Sequence, residues 1–329
     1  MSDRSRRELL GLAVLAAAMV AAGLLVAGDY EHGLLVGFCV DLLLLTGLNL
    51  IVGYAGQVSL AQAGLFGLGA YTAGILSAKE VVPPAVAFVA APVVVAAFSA
   101  LVGLPSLRLR GLYFTMATLG AGVILYLVFG RAVSLTGGPN GLLGVPVLEV
   151  GGFEFDTPFA VYWLAAALAL LGLVLARNLV RSRVGLALRA ASTSEPAAAV
   201  AGVETFRLRL LLFTLCGAYA GVAGALETFE SGFVSPEPFG FFGAVTLLVV
   251  LALAGAGTLF GPVVGAALML LLDELLADAA DVEPLILGVL FLIAIQVMPQ
   301  GVAGWLGERF GGRRQRRAPV GSERAEAAR

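Results

Sequence analysis

Apolar stretches close to 20 residues long recur along the chain, separated by short clusters of charge or by glycine and proline. That is the length an α-helix needs to cross a bilayer core of about 30 Å. Ten such runs can be marked, at residues 9–28, 33–52, 59–77, 84–104, 111–130, 159–176, 208–226, 240–256, 259–276 and 285–303. A backbone in hydrocarbon has no water to bond to, so a spanning segment of this kind has to be helical. The expected fold class is all-α, a polytopic membrane helix bundle of about ten transmembrane helices. Taken as one helix, 240–272 would overshoot a membrane, and Gly255, Gly257, Gly261 and Pro262 supply the break. The third run, rich in Gly and Gln, and the eighth and ninth carry the weakest signals, and fewer spans result if two of these are re-entrant.

Composition excludes other classes. Of 329 residues, 60% are hydrophobic and 13% charged, with a mean hydropathy of +0.98; soluble domains have roughly a quarter of their residues charged. A soluble enzyme is excluded. A net charge of −2, a pI of about 5.6 and a single lysine, Lys79, among 20 basic residues argue against nucleic acid as a partner. Cys39 and Cys216 sit in apolar runs without metal-ligand spacing and read as small buried hydrophobes.

Charge placement fixes an expected orientation, because inside loops carry the arginine excess. With Arg4, Arg6 and Arg7 inside, ten spans return the tail with Arg309, Arg313, Arg314, Arg316 and Arg317 to the same side. Only Lys79 and Arg131 then fall outside, while most acidic residues do. Both termini are expected in the cytoplasm, in a multi-pass protein of the cytoplasmic membrane. The first run is uninterrupted for about 20 residues, longer than a signal-peptide core of about 7–15, and is expected to be a retained helix. Residues 1–305 form the expected transmembrane domain, with a cytoplasmic loop at about 177–207; residues 306–329 are a basic tail, expected to be disordered with its first arginines near anionic lipid.

Small residues let helix backbones approach in lipid. Gly217 with Gly221, the series Gly257, Gly261 and Gly265, Ala63 with Gly67, and Ala70 with Gly74 have that spacing. Polar residues within spans are costly unless paired or facing a wet cavity. Asp41, Thr46 and Asn49 lie in the second run, and Gln57, Ser59 and Gln62 follow a break at Gly53-Tyr54-Ala55-Gly56. Such a cluster either satisfies a broken backbone or lines a translocation path. Thr115 and Thr118, three apart on one helix face, join Asn49, Gln57, Ser59 and Gln62 as candidate path residues.

Other chemistries lack material. The only lysine, Lys79, sits between Ala78 and Glu80, so no P-loop exists. His32, the one histidine, falls in a short acidic outer loop and reads as a surface residue. No catalytic or metal-ligating residue is expected, and no cofactor bound by this chain. The loop at 177–207 is too polar for lipid and too short for a domain. Its Ser182–Ala190 segment reads as a short helix with one apolar side, and Ser194–Gly202 as a second one, with Ser194 as cap, Pro196 in the first turn and Gly202 at the end. A hairpin of this kind suits docking on a cytoplasmic partner, or it is an amphipathic surface element anchored by arginine.

The segment Asn49-Leu50-Ile51-Val52-Gly53-Tyr54-Ala55-Gly56-Gln57-Val58-Ser59-Leu60, continuing through Gly67-Leu68-Gly69-Ala70-Tyr71, resembles the signature of LivM-type permease subunits of branched-chain amino-acid ABC importers. Leu107–Phe114, Thr136–Leu142, the 182–202 loop and Ala254–Pro262 agree in order and spacing, so the resemblance covers about residues 35–305. Departures are Leu186, Ser192 and Thr193 where the family's loop is more charged, and Ala256 where the family has a glycine. The resemblance implies an ABC importer permease-like fold and import of branched-chain amino acids, with ATP used by partner subunits. The implied partners are a paralogous permease subunit, two ATP-binding cassette subunits and an extracytoplasmic substrate-binding protein. It also makes 182–202 the ATPase-coupling loop, with Arg183, Gly185, Arg189, Glu195, Ala198 and Gly202 as its residues. Related permeases for urea or short amides share the pattern. An ion-coupled secondary transporter would need an intramembrane ionisable site, for which Asp41 is the candidate, and a membrane-embedded enzyme lacks paired carboxylates, His and Lys.

Overall fold

The computed structural model describes residues 3–26, 28–109 and 111–276. The described residues are mostly helical. Helix α1 spans Asp3–Leu25, α2 Asp29–Asn49, α3 Gln62–Ala78, α4 Pro84–Ser106, α5 Leu112–Arg131 and the single turn α6 Val133–Thr136. Then come α7 at Pro158–Arg181, α8 at Arg183–Thr193, α9 at Glu195–Val200, α10 at Thr205–Ser231, α11 at Phe241–Ala254 and α12 at Gly261–Leu276. The tenth predicted run, 285–303, and the tail from 306 lie outside the described residues.

Among the described residues six helices are long and apolar enough to cross a membrane: α1, α2 with its continuation to Tyr54, α4, α5, α7 and α10. Helices α3 and α11 have 17 and 14 residues, and α12 is described over 16. At 1.5 Å per residue, α11 reaches only about 21 Å. Among the described residues the full-length spans are therefore six, where nine of the ten expected runs fall at least partly within them. The shortfall has local causes. Residues 55–61 form a turn in place of α3's first turns, and Gly255, at φ 111°, ends α11. Gly257 lies in that same turn at φ 78°, so of the predicted glycine series only Gly261 and Gly265 are helical.

Helix α10 is the centre of the bundle, packed on α2, α3 and α4, and α2 lies between α7, α10 and α12. Small residues make the closest of these contacts. A Cβ on Gly221 would stand 2.6 Å from Pro92 Cα of α4, and one on Gly69 of α3 2.7 Å from Gly221 Cα. Gly217 meets Ser99 of α4 in the same way. By contrast α1, α4 and α5 leave most of their apolar surface uncovered by the described residues, with Val89 and Val93 of α4 and Met116 and Ile124 of α5 exposed.

The two ends of the bundle differ in charge. One end carries Arg108, Arg177, Arg181, Arg183, Arg189, Arg207 and Arg209, and there Glu8 of α1 pairs with Arg177 at 3.5 Å and Arg181 at 2.5 Å. At the other end, β1 (Leu142–Leu143) pairs antiparallel with a second strand at Phe233–Val234, and the hairpin of Glu149–Val150 with Phe153–Glu154 carries exposed carboxylates. His32 is a correction. Helix α2 begins at Asp29, so His32 lies in its first turn and is buried, with Nδ1 2.7 Å from Gly28 O and its ring edge-on to Phe159 of α7.

Candidate functional site

The α2 helix does not stop at the Gly53-Tyr54-Ala55-Gly56 break. Leu50–Tyr54 continues it as a π turn, in which Ala55 N–H donates to Leu50 O at 3.3 Å, and the chain leaves the helix at Gly56, φ 66°. π turns are rare and are frequent at functional sites. The turn uses up hydrogen-bonding register, and the polar residues singled out in the sequence make up for it.

Asn49 is the clearest case. Its Nδ2 donates to Thr258 O at 2.8 Å and its Oδ1 accepts from Gly257 N–H at 2.7 Å, tying the end of α2 to the turn between α11 and α12. Gly53 faces the same turn: a Cβ there would collide with Gly257 N and Asn49 Oδ1, so only glycine fits. Gln62, fully buried, donates from Nε2 to Leu44 O at 3.0 Å and accepts from Cys216 Sγ at 2.8 Å, linking α3 to α2 and α10. Cys216 is thus a hydrogen-bonding group as well as a small hydrophobe. On the opposite side, Thr115 Oγ1 of α5 donates to Val58 O at 2.9 Å, and Leu60 N–H donates to Thr118 Oγ1 at 3.2 Å. Ser59 is buried and accepts from Ala61 N–H at 3.4 Å. Gln57 is half-buried, and its side chain makes no hydrogen bond to any described residue. The six residues therefore form one cluster around residues 49–62, clasped by α5 on one side and by the 255–260 turn on the other.

The predicted loop helices adjoin this cluster. Ser182 Oγ caps α8 by accepting from Val184 N–H at 3.2 Å, and Gly202 ends the second helix at φ 80°. Gly185 is buried against the Val180 carbonyl of α7, and Ala198 is buried as well, while Arg183, Leu186, Arg189 and Val200 are exposed. Helix α8 lies on α7, α10 and the π turn, and the Arg189 guanidinium sits over the Tyr54 ring, 5.8 Å from its centroid. Tyr54 carried no sign of this in the sequence, since the pairing joins segments remote along the chain. Nothing is described of the Glu195 side chain.

A second polar feature lies towards the acidic end. Asp29, Tyr30, Gly33, Leu34, Gly37, Phe38 and Asp41 of α2, Glu230 of α10 and Leu270 of α12 line a cleft of about 340 Å³. Asp41 faces this cleft, while Thr46 and Asn49 of the same helix are buried. Among the described residues no group of His, Cys, Asp and Glu is placed to hold a metal ion.

A bundle with a broken, internally clasped helix and a surface hairpin touching it matches a family model, described as the permease component of branched-chain amino acid transport systems, over residues 32–295. The chain belongs to this permease family. Its similarity to individual members is uneven. The high-affinity branched-chain amino acid transport system permease protein LivM of Salmonella typhimurium strain LT2 is 32% identical over 279 residues, 78% of this chain and 66% of LivM. The LivM of Escherichia coli K12 has the same identity and coverage. The permease protein LivH of Escherichia coli K12 is 26% identical over 286 residues, 80% of this chain and 90% of LivH. The chain thus spans 66% of the length of the LivM relatives that it matches. No solved structure matches it.

Proposed function

We propose that the chain is a permease subunit of an ABC importer that moves branched-chain amino acids across the cytoplasmic membrane. The observation that carries this reading is the family match over residues 32–295, with LivM the more similar and LivH the less similar of two permease subunits of one transport system. Two different permeases in one system suit a pair around a shared path. The uncovered apolar faces of α1, α4 and α5 are available to lipid and to such a paralogue.

In this proposal residues 1–305 form the transmembrane domain with about ten helices, α3 and α11 being short because they meet breaks within the bilayer. The arginine-rich end faces the cytoplasm, as the inside excess of basic residues requires. Two ATP-binding cassette subunits dock on α8 and α9, where exposed Leu186 and Val200 offer apolar contact beside Arg183. ATP stays on those subunits. A substrate-binding protein presents the amino acid at the acidic end. Closure of the ATPases then moves the hairpin, and the bundle opens its path to one side and then the other. A zwitterion with an apolar side chain needs only weakly polar surroundings, and backbone groups freed at helix breaks can solvate its charged ends transiently. Asn49, Gln57, Ser59, Gln62, Thr115 and Thr118 provide them.

Competition separates this substrate class from urea and short amides. In cells whose uptake depends on this chain, unlabelled isoleucine and valine should displace labelled leucine, and a large excess of urea or acetamide should not. Displacement by the amides alone would assign the permease to them instead.

A further inference from the structure

We propose, on the basis of the ABC importer reading above, that the π turn Leu50–Tyr54 is the joint through which the cytoplasmic hairpin drives the path, with Tyr54 and Arg189 as positioning residues on its two sides. Helix α8 meets the π turn directly, and the Arg189 guanidinium covers the Tyr54 ring. A cation over an aromatic face is held by the ring's quadrupole, so the two side chains move together. Neighbouring Gly53 is in backbone contact with the turn between α11 and α12, and Asn49, one turn back, is bonded to Gly257 and Thr258 of that turn. Beyond the π turn, Val58 and Leu60 are bonded to Thr115 and Thr118 of α5.

A displacement of α8 is therefore passed to α2, to the α11–α12 turn and to α5 at once. The π turn is suited to this. It holds an extra residue in a helix that is otherwise α, an irregularity frequent at functional sites, and its Val52, Gly53 and Tyr54 are less buried than the part of α2 before it.

The test uses the complete transporter, with partner permease, ATPases and substrate-loaded binding protein, in proteoliposomes, measuring leucine transported per ATP hydrolysed. Tyr54→Leu and Arg189→Gln should each lower that ratio about tenfold, the size of a typical coupling between sites, while hydrolysis continues and the subunits still copurify. Tyr54→Phe, which keeps the ring face, should retain the ratio within about twofold, and the double variant should be no worse than either single one. A merely structural role would reduce assembly or both activities together. If Tyr54→Leu does not assemble, Arg189→Gln, on an exposed side chain, decides alone. An unchanged ratio in Arg189→Gln, or a Tyr54→Phe variant as impaired as Tyr54→Leu, overturns the proposal. An unmodified complex that hydrolyses no ATP in response to loaded binding protein overturns the importer reading, and this proposal with it.

Discussion

Two glutamines five residues apart behave differently in the clasped cluster. Gln62 is buried and bonded to Leu44 O and Cys216 Sγ, whereas Gln57 is half-buried with no such bond among the described residues. Gln62→Leu removes the bonds to Leu44 O and Cys216 Sγ and leaves the buried thiol without its acceptor, and it is expected to lower stability by about 1–3 kcal/mol, read as earlier thermal unfolding of the purified chain in detergent. Gln57→Leu is expected to leave unfolding unchanged while slowing leucine uptake, as suits a side chain on the path; slower uptake with earlier unfolding in both variants would make Gln57 structural too. Thr118→Val removes the acceptor for Leu60 N–H and should slow uptake without altering the order of preference among leucine, isoleucine and valine. The sequence marked these residues because polar groups in apolar runs stand out. It left open whether they line a path or mend a backbone, and most of their side-chain bonds go to backbone groups. The partners were hidden: Asn49 bonds to a turn more than 200 residues away, and no spacing rule reaches that far. His32 was misread for a related reason, since a loop and the first turn of a buried helix have the same local composition.

At the level of elements, the close approach of α10 to α3 and α4 is what holds the bundle. Gly221→Leu would push α4 away at Pro92 and α3 at Gly69. It should destabilise by about 1–3 kcal/mol or more, the range for overpacking, and lower the yield of folded protein on size-exclusion chromatography. A neutral Gly221→Leu would mean that these helices are not packed as described. Hydropathy made the positions of the apolar helices legible, because burying about 20 apolar residues in lipid dominates every local preference. It could not show where they end. The continuation of α2 to Tyr54 depends on a π turn that apolar Leu50, Ile51 and Val52 do not announce, and the shortness of α11 depends on Gly255. The surface hairpin was legible from its caps, Ser182 and Gly202, which act through local backbone geometry. Its inward residues can now be told from its outward ones. Gly185→Trp should detach α8 from α7 and uncouple hydrolysis from uptake, with insertion in the membrane unchanged.

For the whole molecule, the charge asymmetry between its ends bears on assembly. Glu80, Glu149, Glu154, Asp156 and Glu237 are exposed at the end opposite the arginines. A binding protein with a basic rim would be steered to that end, and its affinity for the complex should weaken as salt rises, since screening shortens the reach of exposed charges to about 10 Å at 0.1 M. Affinity that stays flat from low to moderate salt would reduce these carboxylates to a solvated surface. The proposed function has this chain move branched-chain amino acids as one part of an ATP-driven assembly, and labelled leucine uptake into proteoliposomes is its sharpest test. Vesicles holding the full complex, with ATP inside and loaded binding protein outside, should accumulate leucine, remain indifferent to a proton ionophore, and lose uptake when this chain is omitted. Leucine accumulation by this chain alone, without ATP and abolished by the ionophore, would contradict the account and return Asp41 to the centre of an ion-coupled transporter.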